Sequence, residues 1–180
     1  QQVDGAPVDV ETGPVVWGQA GTDGQHAFHQ LLHQGTRVVP CDLIGFAKSI
    51  DPAGQEQQDM LVANLVAQAE ALSIGRNEKA AAQSGDASLA AHRRFAGGKP
   101  VNVITAKQLD PKTLGALLAL YEHKVFVEAA IWGINPFDQY GVELGKELAN
   151  VITPELEGSA GAAHDPATAA LIEALRGLRD

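Results

Sequence analysis

Apolar residues along the chain recur with two spacings, one typical of buried strands and the other of amphipathic helices. Short apolar runs bounded by proline, glycine or polar residues lie at 15–17, 38–44 and 101–104, and each predicts a buried strand. The second run is interrupted at Pro40. A helical pattern lies between the first two runs and is joined to each by a short link. A strand, a helix and a strand in this order form a βαβ unit. The sequence therefore predicts a parallel sheet with helices on its faces.

The helical segments carry apolar residues three and four positions apart. They are predicted at 24–35, 55–74, 87–95, 110–133, 137–149 and 166–179. Pro111 suits the first turn of the fourth helix. Segment 76–100 is polar and punctuated by glycine, so we expect a surface excursion and not a second domain. The predicted organisation is an α/β domain at 1–158 followed by a helical tail at 159–180.

Composition bounds the class of protein. The 180 residues are 45% hydrophobic and 19% charged, enough for one well-buried domain. The longest apolar runs are far shorter than a membrane span, so we expect no insertion in a bilayer. The formal net charge of -9 argues against a nucleic-acid partner, because nucleic-acid binding relies on basic side chains that neutralise phosphates. If the ligand is an anion, the positive charge that binds it must be local.

Cysteine usage indicates the redox compartment. The only cysteine, Cys41, lies in the apolar run VVPCDLIGF, so we expect a buried free thiol. The first residues do not form a basic and apolar leader. Both features are typical of a protein of the reducing cytoplasm, and we expect that localisation.

A polar face is predicted on the helix at 137–149. Gln139, Glu143 and Lys146 fall at i, i+4 and i+7, which places an amide, a carboxylate and an ammonium on one side of two helical turns. Such spacing is also common on helix faces that only meet solvent. Spacing alone therefore leaves a functional face and a solvated face as open alternatives.

The identity of the residues around this helix favours the functional face over the solvated face. The run IWGINPFDQYGVELGK at 131–146 resembles the C-terminal signature of the phosphoglucose isomerase family, an aromatic residue followed by D-Q-x-G-V-E-x-x-K. The matching residues are Phe137, Asp138, Gln139, Gly141, Val142, Glu143 and Lys146. A second run, WGQAGTDGQHAFHQLLHQGT, is similar to another segment of the same family. The chain thus resembles the C-terminal portion of this family.

The resemblance implies a fold and an activity. The fold would be a three-layer parallel sheet flanked by helices, of the sugar-isomerase domain type, with a C-terminal helical extension. The activity would be that of an aldose–ketose isomerase that interconverts glucose 6-phosphate and fructose 6-phosphate through an enediol intermediate. Neither a metal nor a cofactor is implied, and the expected partners are the sugar phosphate substrate and a second copy of the chain.

The resemblance also implies roles for three residues. His26, in the G-Q-H-A-F segment, would assist opening of the sugar ring in the active site of the neighbouring subunit. Lys146 would also serve ring opening, and Gln139 would lie beside the substrate. These roles fit the chemistry of isomerisation, which needs an acid for the ring oxygen and positive charge near the developing enediolate.

Departures from the family pattern limit what this chain is expected to do. The family's general base is a glutamate in an E-S-N-G-K motif, which by spacing would precede Gln1. The phosphate-binding loops belong to the N-terminal half of the family, so we expect association with that half and no activity from this chain alone. Tyr140 replaces a tryptophan and His29 an aromatic residue, but neither change affects the three site residues.

Two other hypotheses about function are a metal site on three histidines and a non-catalytic domain of the same fold. His26, His29 and His33 lie at spacings of three and four, and histidines so spaced can share a metal ion. No cysteine pattern or HExxH motif accompanies them. The other rival is a non-catalytic domain of the same fold that binds a sugar phosphate or a partner, because fold alone does not define function.

Overall fold

The computed structural model describes residues 2–83 and 85–179. Helices precede, connect and follow two strands along the chain, which is an α/β arrangement. In order, the helices and strands are α1 (Gly21–Ala27), α2 (His29–Gln34), β1 (Cys41–Lys48), α3 (Gln55–Ser73), α4 (Glu78–Gln83), β2 (Val101–Gln108), α5 (Pro111–Trp132), α6 (Tyr140–Leu156) and α7 (Pro166–Gly177). Single 3-10 turns lie at Pro52–Gly54 and Ala87–Leu89.

The sheet in the described residues has two parallel strands. β1 and β2 pair in register from Cys41 opposite Val101 to Lys48 opposite Gln108. α3 connects them and packs on β1, where the side chain of Gln58 donates a hydrogen bond to the backbone oxygen of Phe46 at 2.7 Å. The predicted parallel α/β arrangement is confirmed. Two of the three predicted strands form it.

The prediction of a strand at 15–17 is wrong for this structure. Residues 11–20 have no regular secondary structure, and the side chains of Val15 and Val16 are both 88% exposed. A strand is stable only where its backbone N–H and C=O groups pair with a neighbour. No described strand lies beside this run, so Val15 and Val16 remain uncovered.

The predicted helix at 24–35 is interrupted at Phe28. This residue has φ -142° and ψ -3°, which separates α1 from α2. Its ring packs edge-on against Trp17, with ring centroids 4.5 Å apart. Gly24 provides the room, because a Cβ at that position would lie 3.0 Å from the Phe28 ring. A local aromatic contact therefore overrides the helical pattern.

The remaining helices differ from the predictions mainly at their ends. α6 begins at Tyr140 rather than near Phe137 and continues to Leu156. The helix predicted at 87–95 is replaced by a single 3-10 turn. α7 begins after Asp165, whose side chain accepts hydrogen bonds from the backbone N–H groups of Ala167 and Thr168. That cap is the arrangement favoured at helix starts, with proline in the first turn.

The described chain divides into two compact units. The sheet unit comprises 11–125 and the C-terminal unit comprises 1–10 and 126–180, so the boundary falls within α5. Six apolar residues are buried in the described part of the chain: Leu32, Leu72, Ala81, Ala90, Ala129 and Ile172. The core of each unit is therefore small.

Candidate functional site

The C-terminal unit contains α6 and the polar residues Gln139, Glu143 and Lys146. The chain leaves α5 through Gly133, which has φ +68°. The side-chain oxygen of Asn135 then accepts a hydrogen bond from the N–H of Phe137 at 3.0 Å, which shapes the turn before α6. The Phe137 ring contacts Phe126 of α5, with ring centroids 6.1 Å apart. These contacts set where α6 can begin.

Gln139 occupies the N-cap position of α6. Its backbone oxygen accepts hydrogen bonds from the N–H groups of Val142 and Glu143 at 2.9 and 3.0 Å. Its side chain makes no capping hydrogen bond, so the amide remains available to another group. Gln139 has φ -137° and ψ 20°, so it lies before the helical residues, whereas Glu143 and Lys146 lie three positions apart on one side of α6.

This face of α6 is exposed. Gln139, Glu143 and Lys146 are all solvent-accessible in the described part of the chain. A lysine that performs proton chemistry is expected in a closed pocket. The described residues of the C-terminal unit do not supply one around Lys146.

His26 belongs to the sheet unit. It lies in the last turn of α1 and is exposed. α1 is tied to α3 by its neighbour Gln25, whose side-chain amide donates to the Asn64 side-chain oxygen at 3.3 Å. The structure therefore holds the helix that carries His26 while leaving the imidazole accessible.

His29 and His33 share one partner. Nδ1 of His29 and Nε2 of His33 lie 3.3 and 3.0 Å from the side-chain oxygen of Gln68 on α3. Because an amide oxygen only accepts, both ring nitrogens carry hydrogen and donate to it. The break at Phe28 separates this pair from the helix of His26. Over residues 2–83 and 85–179, no three His, Cys, Asp or Glu side chains are grouped to hold a metal ion.

A second polar cluster lies between the sheet and α5. The Asp42 carboxylate accepts hydrogen bonds from the Asn102 side chain at 2.8 Å and from the Tyr121 hydroxyl at 3.0 Å, and Lys124 Nζ lies 3.6 Å away. The Asn102 hydrogen bond is the main reason that the pKa of Asp42 is lowered. Burial and the contact with Asp42 raise the pKa of Tyr121. The cluster fastens α5 to β1.

Cys41 stands beside this cluster. Its thiol is free, half-buried and 3.4 Å from the Val39 backbone oxygen. Burial, followed by the neighbouring Asp42 carboxylate, raises the pKa of the thiol. A raised pKa disfavours the reactive thiolate at this position. The expected burial is thus only partial.

The junction of α6 and α7 is built around Glu155. This buried carboxylate accepts hydrogen bonds from the Ala162 backbone N–H at 2.8 Å and from His164 Nε2 at 2.9 Å. The Ala162 N–H and then His164 lower the pKa of Glu155. Arg179 of the same unit donates to the Leu156 backbone oxygen at 2.7 Å. These bonds fold the C-terminal tail back onto α6.

The fold defines an α/β protein with parallel strands and an exposed polar helix face, and comparisons with known proteins identify its family. The sequence profile of the family described as phosphoglucose isomerase matches residues 1–172. The chain is 56% identical over 178 residues to the glucose-6-phosphate isomerase of Roseiflexus sp. strain RS-1, covering 97% of this chain and 33% of the relative. The same protein of Deinococcus radiodurans is 54% identical with the same coverages.

A solved structure has the same fold. The crystal structure of a glucose-6-phosphate isomerase from Chlamydia trachomatis superimposes with a TM-score of 0.72 at 37% identity, covering 93% of this chain and 30% of that chain. The chain belongs to the phosphoglucose isomerase family. It spans about a third of the length of the curated relatives it matches. None of the described helices is both long and apolar enough to cross a bilayer.

Proposed function

We propose that this chain is part of an aldose–ketose isomerase that interconverts glucose 6-phosphate and fructose 6-phosphate. The observation that carries the proposal is the pair of family segments, one around His26 and one around Lys146, within a chain that belongs to the phosphoglucose isomerase family. The relatives named above are glucose-6-phosphate isomerases, and this chain corresponds to a third of their length. The activity is proposed for the complete protein.

His26 and Lys146 act in opening the sugar ring. An acid must protonate the ring oxygen while a base takes the proton of the C1 hydroxyl, and an imidazole and an ammonium are suited to these transfers. Gln139 contacts the substrate through a side-chain amide that the helix cap does not use. The exposure of all three side chains in this chain is consistent with a pocket that other parts of the complete protein close.

Other parts of the protein complete the site. We infer from the resemblance of 131–146 to the family's C-terminal signature that this chain is the C-terminal portion. The glutamate that moves the proton between C2 and C1 and the phosphate-binding loops would then come from the N-terminal portion. The two parallel strands belong to a larger three-layer sheet of the sugar-isomerase type. The working unit is a cytoplasmic homodimer in which His26 serves the neighbouring subunit.

The test uses the complete protein and a coupled assay of glucose 6-phosphate and fructose 6-phosphate interconversion. His26→Ala and Lys146→Ala should each lower turnover by about 10² to 10⁴, the usual contribution of a general acid or base. Matched controls are His123→Ala and Lys112→Ala, which remove exposed side chains of the same types on α5 and should leave turnover unchanged.

A second measurement separates ring opening from proton transfer. With a substrate supplied in open-chain form, both site variants should recover much of their activity, and isotope exchange at C2 should persist. Undiminished turnover in both variants would contradict the assigned roles. Binding of the sugar phosphate without any turnover in the complete wild-type protein would favour the non-catalytic sugar-phosphate-binding domain.

A further inference from the structure

The region that joins α3 to β2 forms a fixed scaffold. Arg76 and Phe95 pair as an isolated antiparallel bridge, with backbone hydrogen bonds of 2.8 and 2.9 Å. The N–H groups of Gly98 and Lys99 donate to backbone oxygens at the end of α3, at 2.8 and 3.0 Å. The predicted surface excursion therefore returns to α3 and is held there.

α2 is fastened to the same scaffold. The side-chain amide of Gln34 donates to the backbone oxygens of His92 and Arg94, at 2.9 and 3.2 Å. The His33 ring packs edge-on against Phe95, with centroids 5.4 Å apart. Backbone and side-chain contacts thus fix the loop before β2 against the last turn of α2.

These contacts shape a cleft of about 300 Å³ between α2 and the loop. We define the basic cleft by five of its lining residues, His33, Gln34, Gly35, Arg94 and Lys99. Neither Asp nor Glu is among the described residues that line it. Arg94 and Lys99 form no ion pair with any residue in 2–83 or 85–179. The cleft therefore concentrates positive charge in a chain whose net charge is -9.

The residue types in the basic cleft are those that bind phosphate. Arginine presents a planar fork of N–H donors that matches phosphate oxygens, and lysine adds a compact charge. The volume is at the lower end of small-ligand sites, which suits a small metabolite. The net negative charge of the chain repels anions in general. A local pair of cations in a cleft whose described lining has no Asp or Glu attracts an anion to that place on the surface.

We propose that the basic cleft binds the phosphate group of a small phosphorylated metabolite at a site separate from His26, Gln139 and Lys146. Arg94 and Lys99 contact the phosphate oxygens. His33, whose Nε2 is occupied by Gln68, contributes its other ring edge to the wall of the cleft. The site lies outside the isomerisation chemistry, so its occupancy does not depend on the proposed function.

The test measures binding of inorganic phosphate and of glycerol 3-phosphate to the complete protein at constant ionic strength, by calorimetry. Hydrogen exchange of the backbone at 90–100 provides the local readout, which distinguishes this cleft from any phosphate site used in catalysis. The double variant Arg94→Ala/Lys99→Ala is compared with Lys107→Ala/Lys112→Ala, which removes two exposed cations elsewhere in the sheet unit.

We expect either ligand to protect 90–100 from exchange in the wild type and in the control. The Arg94→Ala/Lys99→Ala variant should lose this protection and bind at least about tenfold more weakly at this site. Isomerase turnover, assayed separately, should not change in that variant. Absence of protection at 90–100 in the wild type, or equal weakening in the control variant, would overturn the proposal.

Discussion

The Asp42 carboxylate joins three elements through two oxygens. Asn102 of β2 and Tyr121 of α5 each donate a hydrogen bond to it, and Lys124 lies within ion-pair distance. A hydrogen bond to a charged acceptor stabilises a protein more than a neutral one does. Loss of the Tyr121 hydroxyl should therefore loosen α5 from the sheet.

This expectation gives a first prediction. Tyr121→Phe should cost about 1.5 kcal/mol of local stability, because an acceptor that carries charge loses one of its partners. Hydrogen exchange of the α5 backbone at 111–125 would measure the change. Tyr140→Phe is the matched control, since Tyr140 is 73% exposed, and should leave exchange in α5 unaltered. Equal effects of the two substitutions would contradict the role of the Asp42 cluster.

The second prediction concerns the contribution of Glu155 to stability as a function of pH. Its pKa is lowered in the folded protein, so its bonds stabilise the fold above the ordinary carboxyl pKa of 4.5 and stop doing so as pH falls through the lowered value. Glu155→Gln should therefore reduce thermal stability at neutral pH. The difference from the wild type should shrink progressively as the pH falls below about 4.5.

Glu147→Gln provides the control for this titration. Glu147 is an exposed carboxylate on the same helix, and its loss should leave the pH dependence of stability as in the wild type. A difference between Glu155→Gln and the wild type that stays constant from neutral to acid pH would show that the ionised carboxylate is not the stabilising group.

The sequence motifs point to His26, Gln139 and Lys146, whose roles stay predictions, and they do not encode the contacts around them. Glu143 and Lys146 lie three positions apart within α6 and share a helix side, whereas Gln139 precedes the first helical residue. The contact of Tyr121 with Asp42 joins residues 79 positions apart, and no periodicity encodes it. The basic cleft was also missed, because segment 76–100 shows no apolar repeat and its bridge between Arg76 and Phe95 is made by the backbone.

At the scale of elements, the end of α3 depends on close backbone packing. Gly75 has φ +74°, and a Cβ there would lie 2.4 Å from the Phe95 backbone oxygen and 2.5 Å from the Gly97 nitrogen. Gly98 has φ +64°, but no heavy atom lies within 4 Å of the position of its Cβ. Substitution of Gly98 therefore tests the cost of the left-handed conformation alone, whereas substitution of Gly75 adds the cost of steric contact.

This pair gives a third prediction. Gly98→Ala should cost about 1–2 kcal/mol, the ordinary cost of a left-handed conformation with a side chain. Gly75→Ala should cost distinctly more, because backbone atoms that cannot rotate away must also shift. Thermal denaturation of both variants, with exchange at the Lys99 N–H as a local probe, would measure the difference. Equal losses would mean that the bridge between Arg76 and Phe95 yields easily.

The helices and strands that the sequence predicted correctly are those with a strong local pattern of apolar residues or a proline near the start. The runs at 38–44 and 101–104 predicted the two strands, although β1 begins after Pro40 and extends to Lys48. Long helices with proline near the start, such as α5 and α7, were also predicted. The strand at 15–17 and the continuous helix at 24–35 failed, because pairing and the contact of Phe28 with Trp17 are tertiary effects.

At the scale of the whole molecule, each unit leaves apolar side chains uncovered. In the C-terminal unit, Leu144 and Leu148 of α6 are 58% and 51% exposed, and Leu171 of α7 is 60% exposed. In the sheet unit, Val15 and Leu118 are 88% and 60% exposed. Exposed apolar patches mark surfaces that bind other protein. Relatives three times as long as this chain contain enough additional polypeptide to cover them.

The last prediction follows from these faces and from the exposed site residues. Chain 1–180 alone should show no appreciable interconversion of glucose 6-phosphate and fructose 6-phosphate, and its exposed faces should make it self-associate and bind an apolar dye. The complete protein should be active and should not bind the dye. Lys146→Ala in the complete protein is the control, because it should lower turnover by about 10² to 10⁴ without exposing apolar surface. Two results together would refute both the proposed division of the site and the need for a covering partner. These are full activity of the 180-residue chain in the coupled assay and a stable monomer in sedimentation.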